Sequence, residues 1–406
     1  MSFSIVGEHS CNKLEFKNIK DPFIDGQYKL NRIDASILGI WPEQSLFWRI
    51  LLPVLHTLFM TTIIIPEVRR FIQVLDDLDL FMECVPSFII IFAAGLKLYT
   101  VSLNNKAFTK AISKMRKDWK RFDNPITGHV MYKYAAIGYK GTFIYQALLY
   151  GGVFMFITLP TMPAVLDIII PLNESRNRPP LFETDYGVNP DDYFVLIVFH
   201  AFICTMQLIH TFSTVDSLVF IMVEHCCGLF EIINVILNQF NDETKNYTEN
   251  EQCKIICYAV DVHRRAIDFA TFIESTFSNM YGVIVLANML AISMTGVMIV
   301  VEMNQKDWGS VARFSVYCVG TMFHLYANSV PGQQLYDHSE ATYNAVYNSN
   351  WSMLSIKAKK LIGFMLVRCA HPCKIAAAGF YEMNMENFGS VMQTSMSYLT
   401  VFTSMR

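Results

Sequence analysis

The sequence predicts an all-α membrane protein of seven transmembrane helices with a cytoplasmic N-terminus, an extracellular C-terminus and an intracellular helical domain. Three observations predict it: the composition, seven long apolar runs, and the uneven distribution of Lys and Arg between loops. The 406 residues are 53% hydrophobic, 14% aromatic and only 17% charged, with mean hydropathy +0.31. A soluble chain of this length does not carry that much apolar surface. The net charge of −3 offers no electrostatic footprint for nucleic acid. Lys13, Lys17, Lys20, Lys29 and Arg32 lie among scattered hydrophobes, so no cleavable leader is expected and the first span does the targeting.

A helix needs about 20 mostly apolar residues to cross the bilayer core. Such runs occur at about 46–66, 80–102, 134–159, 193–223, 279–302, 309–330 and 385–405. The fourth continues as an amphipathic stretch to 240, and a charged helical stretch from 251 leads into the fifth. The last is the most polar, because Ser, Thr, Gln and Asn interrupt it. Glu83 and Lys97 lie within or at the ends of span two, about 21 Å apart along a helix and too far to pair. Each is expected to reach toward its own interface.

The loop after span two carries Lys106, Lys110, Lys114, Arg116, Lys117, Lys120 and Arg121. The loop after span three carries Asp167, Glu174, Glu183, Asp185, Asp191 and Asp192 against Arg176 and Arg178. Basic loops stay cytoplasmic, so the acidic one faces outward and seven spans place the C-terminus outside. Asn173-Glu174-Ser175 is then a glycosylation sequon on the outer side, whereas Asn246 and Asn350 start sequons that face the cytosol. The chain divides into a cytoplasmic segment 1–45, spans one to four 46–223, cytoplasmic extensions 224–278, spans five and six 279–330, a cytoplasmic block 331–384 and the last span 385–406. Both cytoplasmic blocks mix charges with helical-period hydrophobes, as in Leu361, Phe364, Met365 and Arg368 beside Lys357, Lys359 and Lys360. They either pack as an intracellular domain or lie on the lipid surface.

Of ten cysteines, six fall in the cytoplasmic blocks, where thiols stay reduced. Cys369, His371 and Cys373, with His225, Cys226 and Cys227, lack the ligand spacing of structural zinc sites and read as packing residues. The acidic loop has no cysteine, which removes the disulfide expected of a rhodopsin-like receptor. His200 and His210 on span four either line a cavity or pack. No nucleophile elbow, phosphate loop, paired catalytic carboxylates or metal-binding helix is present, so neither an enzyme nor a metal or cofactor site is expected. In span seven, Ser390, Gln393, Thr394, Ser397, Val401 and Ser404 recur every three or four residues on one face. Such a stripe serves helix packing or lines a water path, and one helix encloses a pore only with copies from other subunits.

The C-terminal half resembles the insect odorant receptor family. The resemblance rests on Ser339, Ala345, Tyr347 and Trp351, then Ala378, Gly379 and Phe388, and the closing Ser397-Tyr398-Leu399-Thr400. Length and inverted orientation agree across the chain. The resemblance implies a ligand-gated, non-selective cation channel subunit in the plasma membrane of olfactory sensory neurons, surrounded by membrane lipid. It implies an odorant-tuned subunit assembled as a heterotetramer with the odorant receptor coreceptor, since the loop before span five lacks the coreceptor's long insertion. The cytoplasmic blocks become an anchor domain that joins subunits. The pore face becomes Gln393, Thr394, Ser397, Val401 and Ser404, with Val401 and Met405 at the family's apolar gate.

The family's odorant pocket lies among the outer halves of spans two, three, four and six. Depth and chemistry select Phe88 and Phe92, Gln146, Tyr150 and Phe154, Val198 and His200, and Phe314 and Tyr317 as its walls. Aromatic walls suit a small volatile organic ligand, and Gln146, His200 and Tyr317 offer donors to one ester, alcohol or carbonyl oxygen. The competing readings are a seven-span metabotropic receptor acting through a cytosolic transducer, and a small-solute transporter, for which no internal repeat is visible.

Overall fold

The computed structural model describes residues 21–172, 176, 178, 180–241 and 246–404. Asn173 and Met405 lie outside the described residues, so the sequon and the second gate position have no structural account. The helices are α1 Lys29–Ile37, α2 Leu46–Gln73, α3 Leu78–Leu103, α4 Asn105–Arg121, α5 Pro125–Ile169, α6 Phe194–Leu237, α7 Glu249–Gln305, α8 Trp308–Asn348, α9 Ile356–Cys369 and α10 Met385–Ser404. One small antiparallel hairpin, β1 Ala376–Ala377 with β2 Tyr381–Glu382, precedes α10 and pairs Ala376 with Glu382 and Ala377 with Tyr381. All seven apolar runs fall on helices: α2, α3, α5, α6, α7, α8 and α10. Among the described residues, the first five of these are long and apolar enough to cross a membrane by length and composition. Polar residues such as Gln393 and Thr394 dilute α10, and Ser310, Arg313 and Asn328 dilute α8.

Helix ends are fixed by local chemistry. The Asn124 carboxamide oxygen accepts from the Ile126 and Thr127 amides at 3.1 and 2.9 Å, with Pro125 in the first turn of α5. Thr248 and Glu251 form a reciprocal capping box that starts α7. Between α7 and α8, Lys306 takes φ 63° while Asp307 accepts from the Gly309 and Ser310 amides at 3.1 and 3.3 Å. That tight reversal makes α7 and α8 antiparallel neighbours.

At 57 residues α7 is about 85 Å long, well beyond an apolar thickness of about 30 Å. Protein contacts replace lipid for the remainder. Helix α6 is the central post: every residue from Thr211 to Phe230 is buried except the half-buried Phe220. Its lower part packs against α7, with Phe230, Ile233, Phe269, Ile273 and Phe277 in one continuous core that also takes in Ile362 and Met365 of α9. Residues 331–384 are less helical than the periodicity suggests, because α8 stops at Asn348 and the segment after α9 turns into the hairpin. Ala378 and Gly379 both adopt positive φ, 49° and 75°, in its turn. The Ala378 amide donates to the Ser278 carbonyl at 2.9 Å, which clasps the hairpin to α7.

Two segments are more ordered than their charge predicts. The basic stretch after α3 is a helix, because Phe108, Ala111, Ile112 and Met115 recur at helical spacing and are buried. Two of its charged side chains pair with α7: Arg121 with Asp261 at 2.6 Å, and the buried Asp118 with Arg265 at 2.5 Å. Burial opposes ionisation of Asp118, but the hydrogen bonds and charges of His225 and Arg265 outweigh it and hold the carboxyl below the usual range. Residues 21–45 also fold, with Phe23, Tyr28 and Trp41 buried against Phe108 and Trp119.

His263 sits in the part of α7 that precedes the predicted span, 5% exposed, with its Nε2 3.7 Å from the Cys369 sulfur. Burial, reinforced by the Arg368 charge, pushes its imidazole from 6.5 down to about 4. The unfolded chain therefore takes up this proton before the folded one does. Stability from this group is full above pH 6.5 and is lost as pH falls from 6.5 to about 4, by on the order of 3 kcal/mol in total. Thermal unfolding of His263→Gln across that window is expected to show a shallower pH slope than the parent. An unchanged slope excludes His263 as the acid-sensitive group.

Candidate ligand cavity

A cavity of about 170 Å³ lies between α3, α5, α6, α7 and α8. It exists because small residues face one another across the bundle: Ala93 on α3, Gly152 on α5, Ala291 on α7 and Gly320 on α8. A Cβ built at Gly152 or Gly320 meets no atom within 4 Å. Leu148, Leu149, Val153, Phe156, Leu208, Ile209, Phe212 and Phe323 supply much of the remaining wall.

The polar groups in that wall are already bonded to protein. The Thr205 hydroxyl donates to the Ala201 carbonyl at 2.7 Å and the Thr321 hydroxyl to the Tyr317 carbonyl at 2.9 Å. The Tyr317 hydroxyl donates to the carbonyl of Pro86 within α3. All three hydroxyls keep lone pairs but have spent their protons. They offer acceptors to a ligand, not donors.

Below the cavity lies a buried charge cluster that sequence reasoning placed wrongly. Lys97 does not reach an interface: it is fully buried and ion-paired with Asp216 on α6. The Tyr145 hydroxyl donates to the same carboxylate at 2.8 Å, and His324 Nε2 lies 3.3 Å from it. His324 Nδ1 is 3.2 Å from the Asn288 carboxamide on α7. Residues from α3, α5, α6, α7 and α8 thus meet around one carboxylate, and Phe212 and His324 belong to both this cluster and the cavity wall. Glu83 likewise turns inward, 3.5 Å from Arg313 at the start of α8. A lysine in an apolar span requires a counterion, and Asp216 is the carboxylate within span four, so the pairing was legible.

The sequence-selected residues scatter. Tyr317 lines the main cavity. Phe314 lines an adjoining space of about 30 Å³ and Val198 a third of about 80 Å³. Gln146 donates to Asp34 at 2.6 Å and so ties the N-terminal segment to α5. The Tyr150 hydroxyl is 2.8 Å from His210, and His200 bridges Thr62 and Tyr186 at 2.9 and 2.8 Å. Phe88 meets Phe71 edge to face, while Phe92 and Phe154 point out of the bundle, 62% and 58% exposed. Neither histidine of span four lines the main cavity.

Helix α10 packs on α7 and α8 through the opposite side from its polar stripe. Val391 and Ser395 are buried, Leu399 lies 3.4 Å from the Cβ position of Gly296, and Phe388 meets Tyr326 at 5.7 Å. Ser390, Gln393, Thr394, Ser397, Val401 and Ser404 are all exposed. Their hydroxyls bond back to their own helix, as in Thr394 to the Ser390 carbonyl at 2.8 Å. Packing within the chain therefore does not account for the stripe.

The family model described as 7tm odorant receptor matches residues 77–396. Odorant receptor 22c of Drosophila melanogaster is 21% identical over 93% of this chain and 96% of its own length. Odorant receptor 13a of the same fly is 23% identical over 60% of this chain, and the match spans 62% of that receptor. The solved olfactory receptor OR5 from Machilis hrabei, in complex with eugenol, superposes with TM-score 0.75 at 13% identity, covering 95% of this chain and 100% of that one.

Removing one member of the Lys97–Asp216 pair leaves a buried charge uncompensated, a loss of about 3–5 kcal/mol. Lys97→Met and Asp216→Leu are each expected to lower surface expression and thermal stability sharply, and the double variant to recover most of the loss. Thermal unfolding of the purified variants checks this. Additive losses in the double variant rule the pairing out.

Proposed function

The chain belongs to the seven-span odorant receptor family, and from that premise we propose that it is an odorant-tuned subunit of a ligand-gated cation channel in the olfactory neuron membrane. The observation that carries this reading is the apolar cavity of about 170 Å³ between the helices. An apolar cavity of about 150 Å³ holds a benzene-sized molecule, so this one fits a single ring or a short chain. A charged ligand finds no counterion in the wall, because Asp216 is already neutralised by Lys97. The free lone pairs of Tyr317, Thr205 and Thr321 favour a ligand that donates one hydrogen bond, an alcohol or phenol, over an ester or ketone.

The partner is the odorant receptor coreceptor, in a heterotetramer that brings α10 helices around one axis. Gln393, Thr394, Ser397, Val401 and Ser404 then face water along the pore, with Val401 as the apolar constriction. The exposed stripe supports this, since a polar face that no other helix covers among the described residues is suited to water or another subunit. The short link between α6 and α7 supports a tuning subunit over a coreceptor. Loop charge supports a cytoplasmic N-terminus and an outward-facing 170–193 loop that carries Asn173.

Ligand binding opens the pore only through different affinity for the two states; moving a population from 1:99 to 99:1 takes on the order of 10⁴-fold. Helix α7 is the connecting element, because it carries Asn288 and Ala291 at the cavity and Gly296 against Leu399 of α10. Gly320→Val fills the cavity from a position where a side chain meets open space. Co-expressed with a coreceptor, this variant is expected to reach the surface yet lose at least about tenfold in odorant sensitivity, the scale of a misfit methylene or two. Wild-type odorant currents from Gly320→Val remove the ligand from this cavity.

A further inference from the structure

Phe182, in the 170–193 loop, is the one residue that lines all three cavities described above. Its ring is 5.8 Å from Phe156 of α5 and packs toward the cluster of Ile63, Ile91 and Leu208. Loop residues normally run over a surface with their carbonyls in water. Here the chain dips into the bundle, and its polar groups are gripped on both sides of Phe182. The Pro180 carbonyl accepts from Arg313 Nη1 at 2.9 Å. The Glu183 carboxylate lies 3.3 Å from Arg70 of α2 and 3.5 Å from Arg313 of α8. Farther on, the Asp185 amide donates to the Pro66 carbonyl at 2.9 Å.

We propose that Phe182 determines ligand specificity by partitioning three chambers of about 170, 30 and 80 Å³, and that the Glu183 clamp on Arg70 and Arg313 holds it in place. The proposal rests on the cavity being the ligand site. The ring sets the upper size limit, because a ligand that outgrows the main chamber meets Phe182 before it reaches the smaller ones. Removing the ring joins the chambers.

The test uses the purified full chain and linear primary alcohols from butanol to dodecanol, read as ligand-induced shifts in thermal unfolding, so that it does not depend on channel opening. Phe182→Ala is expected to move the best-stabilising alcohol to a longer chain, with about tenfold tighter binding of the long members. Phe182→Trp is expected to move it to a shorter one, an opposite shift that loss of stability does not produce. Glu183→Gln keeps the ring and is expected to shift the optimum in the same direction as Phe182→Ala, by less. Identical size profiles in the parent and in both Phe182 variants overturn the proposal. Gly320→Val is the control for the underlying reading: if it binds the series like the parent while the Phe182 variants shift, the ligand site is a smaller chamber and the partition stands.

Discussion

A buried lysine has to be answered by a carboxylate, and the upper bundle is arranged around that requirement. Lys97 and Asp216 are both buried between helices, so each charge is tolerable only while the other is in place. Tyr145, His324 and, through His324, Asn288 complete the coordination of the carboxylate. Five helices are therefore held in one register at one depth. Small residues immediately above this knot leave a void that the tightly packed helices have no freedom to collapse into.

The same register connects the void to the last helix. Helices α7 and α8 contribute both to the cavity wall and to the surface on which α10 lies, through Gly296 with Leu399 and Tyr326 with Phe388. Below the cavity the long helices bury each other, with α6 enclosed on all sides. A change in the spacing of α7 and α8 is transmitted to α10 more readily than to α6, since α10 touches the bundle along one face only. The polar stripe on its free face is where such a movement would be felt by water or by neighbouring subunits.

Much of this was legible in the sequence. The seven helices were readable because apolar runs of the right length are unambiguous, and the order and helical character of α6 and α7 beyond the apolar runs followed from their periodicity. The cavity lies among the four helices expected for a pocket, α3, α5, α6 and α8, and also takes in α7, while most of the residues chosen from the sequence lie outside its wall. In α3 and α5 the chain is apolar all round, so periodicity carries no phase, and Phe88 and Phe92 were chosen where Ile89, Ile90 and Ala93 face inward. Preference for aromatics misled as well, because a void is made by what is missing: Gly152 and Gly320 were its better markers. On α6 the wall lies deeper than Val198 and His200, at Thr205, Leu208 and Phe212. The stripe on α10 was readable because there polarity, not apolarity, supplies the phase. The loop that carries Phe182 into the bundle has no local pattern, and only the arginines that grip it, on α2 and α8, explain its path.

The central claim is that a molecule in the cavity changes the exposure of α10 to water. Its most direct test is the rate at which a water-soluble, thiol-specific reagent modifies Val401→Cys in the receptor assembled with a coreceptor, with and without an activating odorant. The account predicts faster modification in the presence of odorant, and loss of that acceleration when Gly320→Val is added. Modification at one rate regardless of odorant, or acceleration that survives the filled cavity, would contradict it.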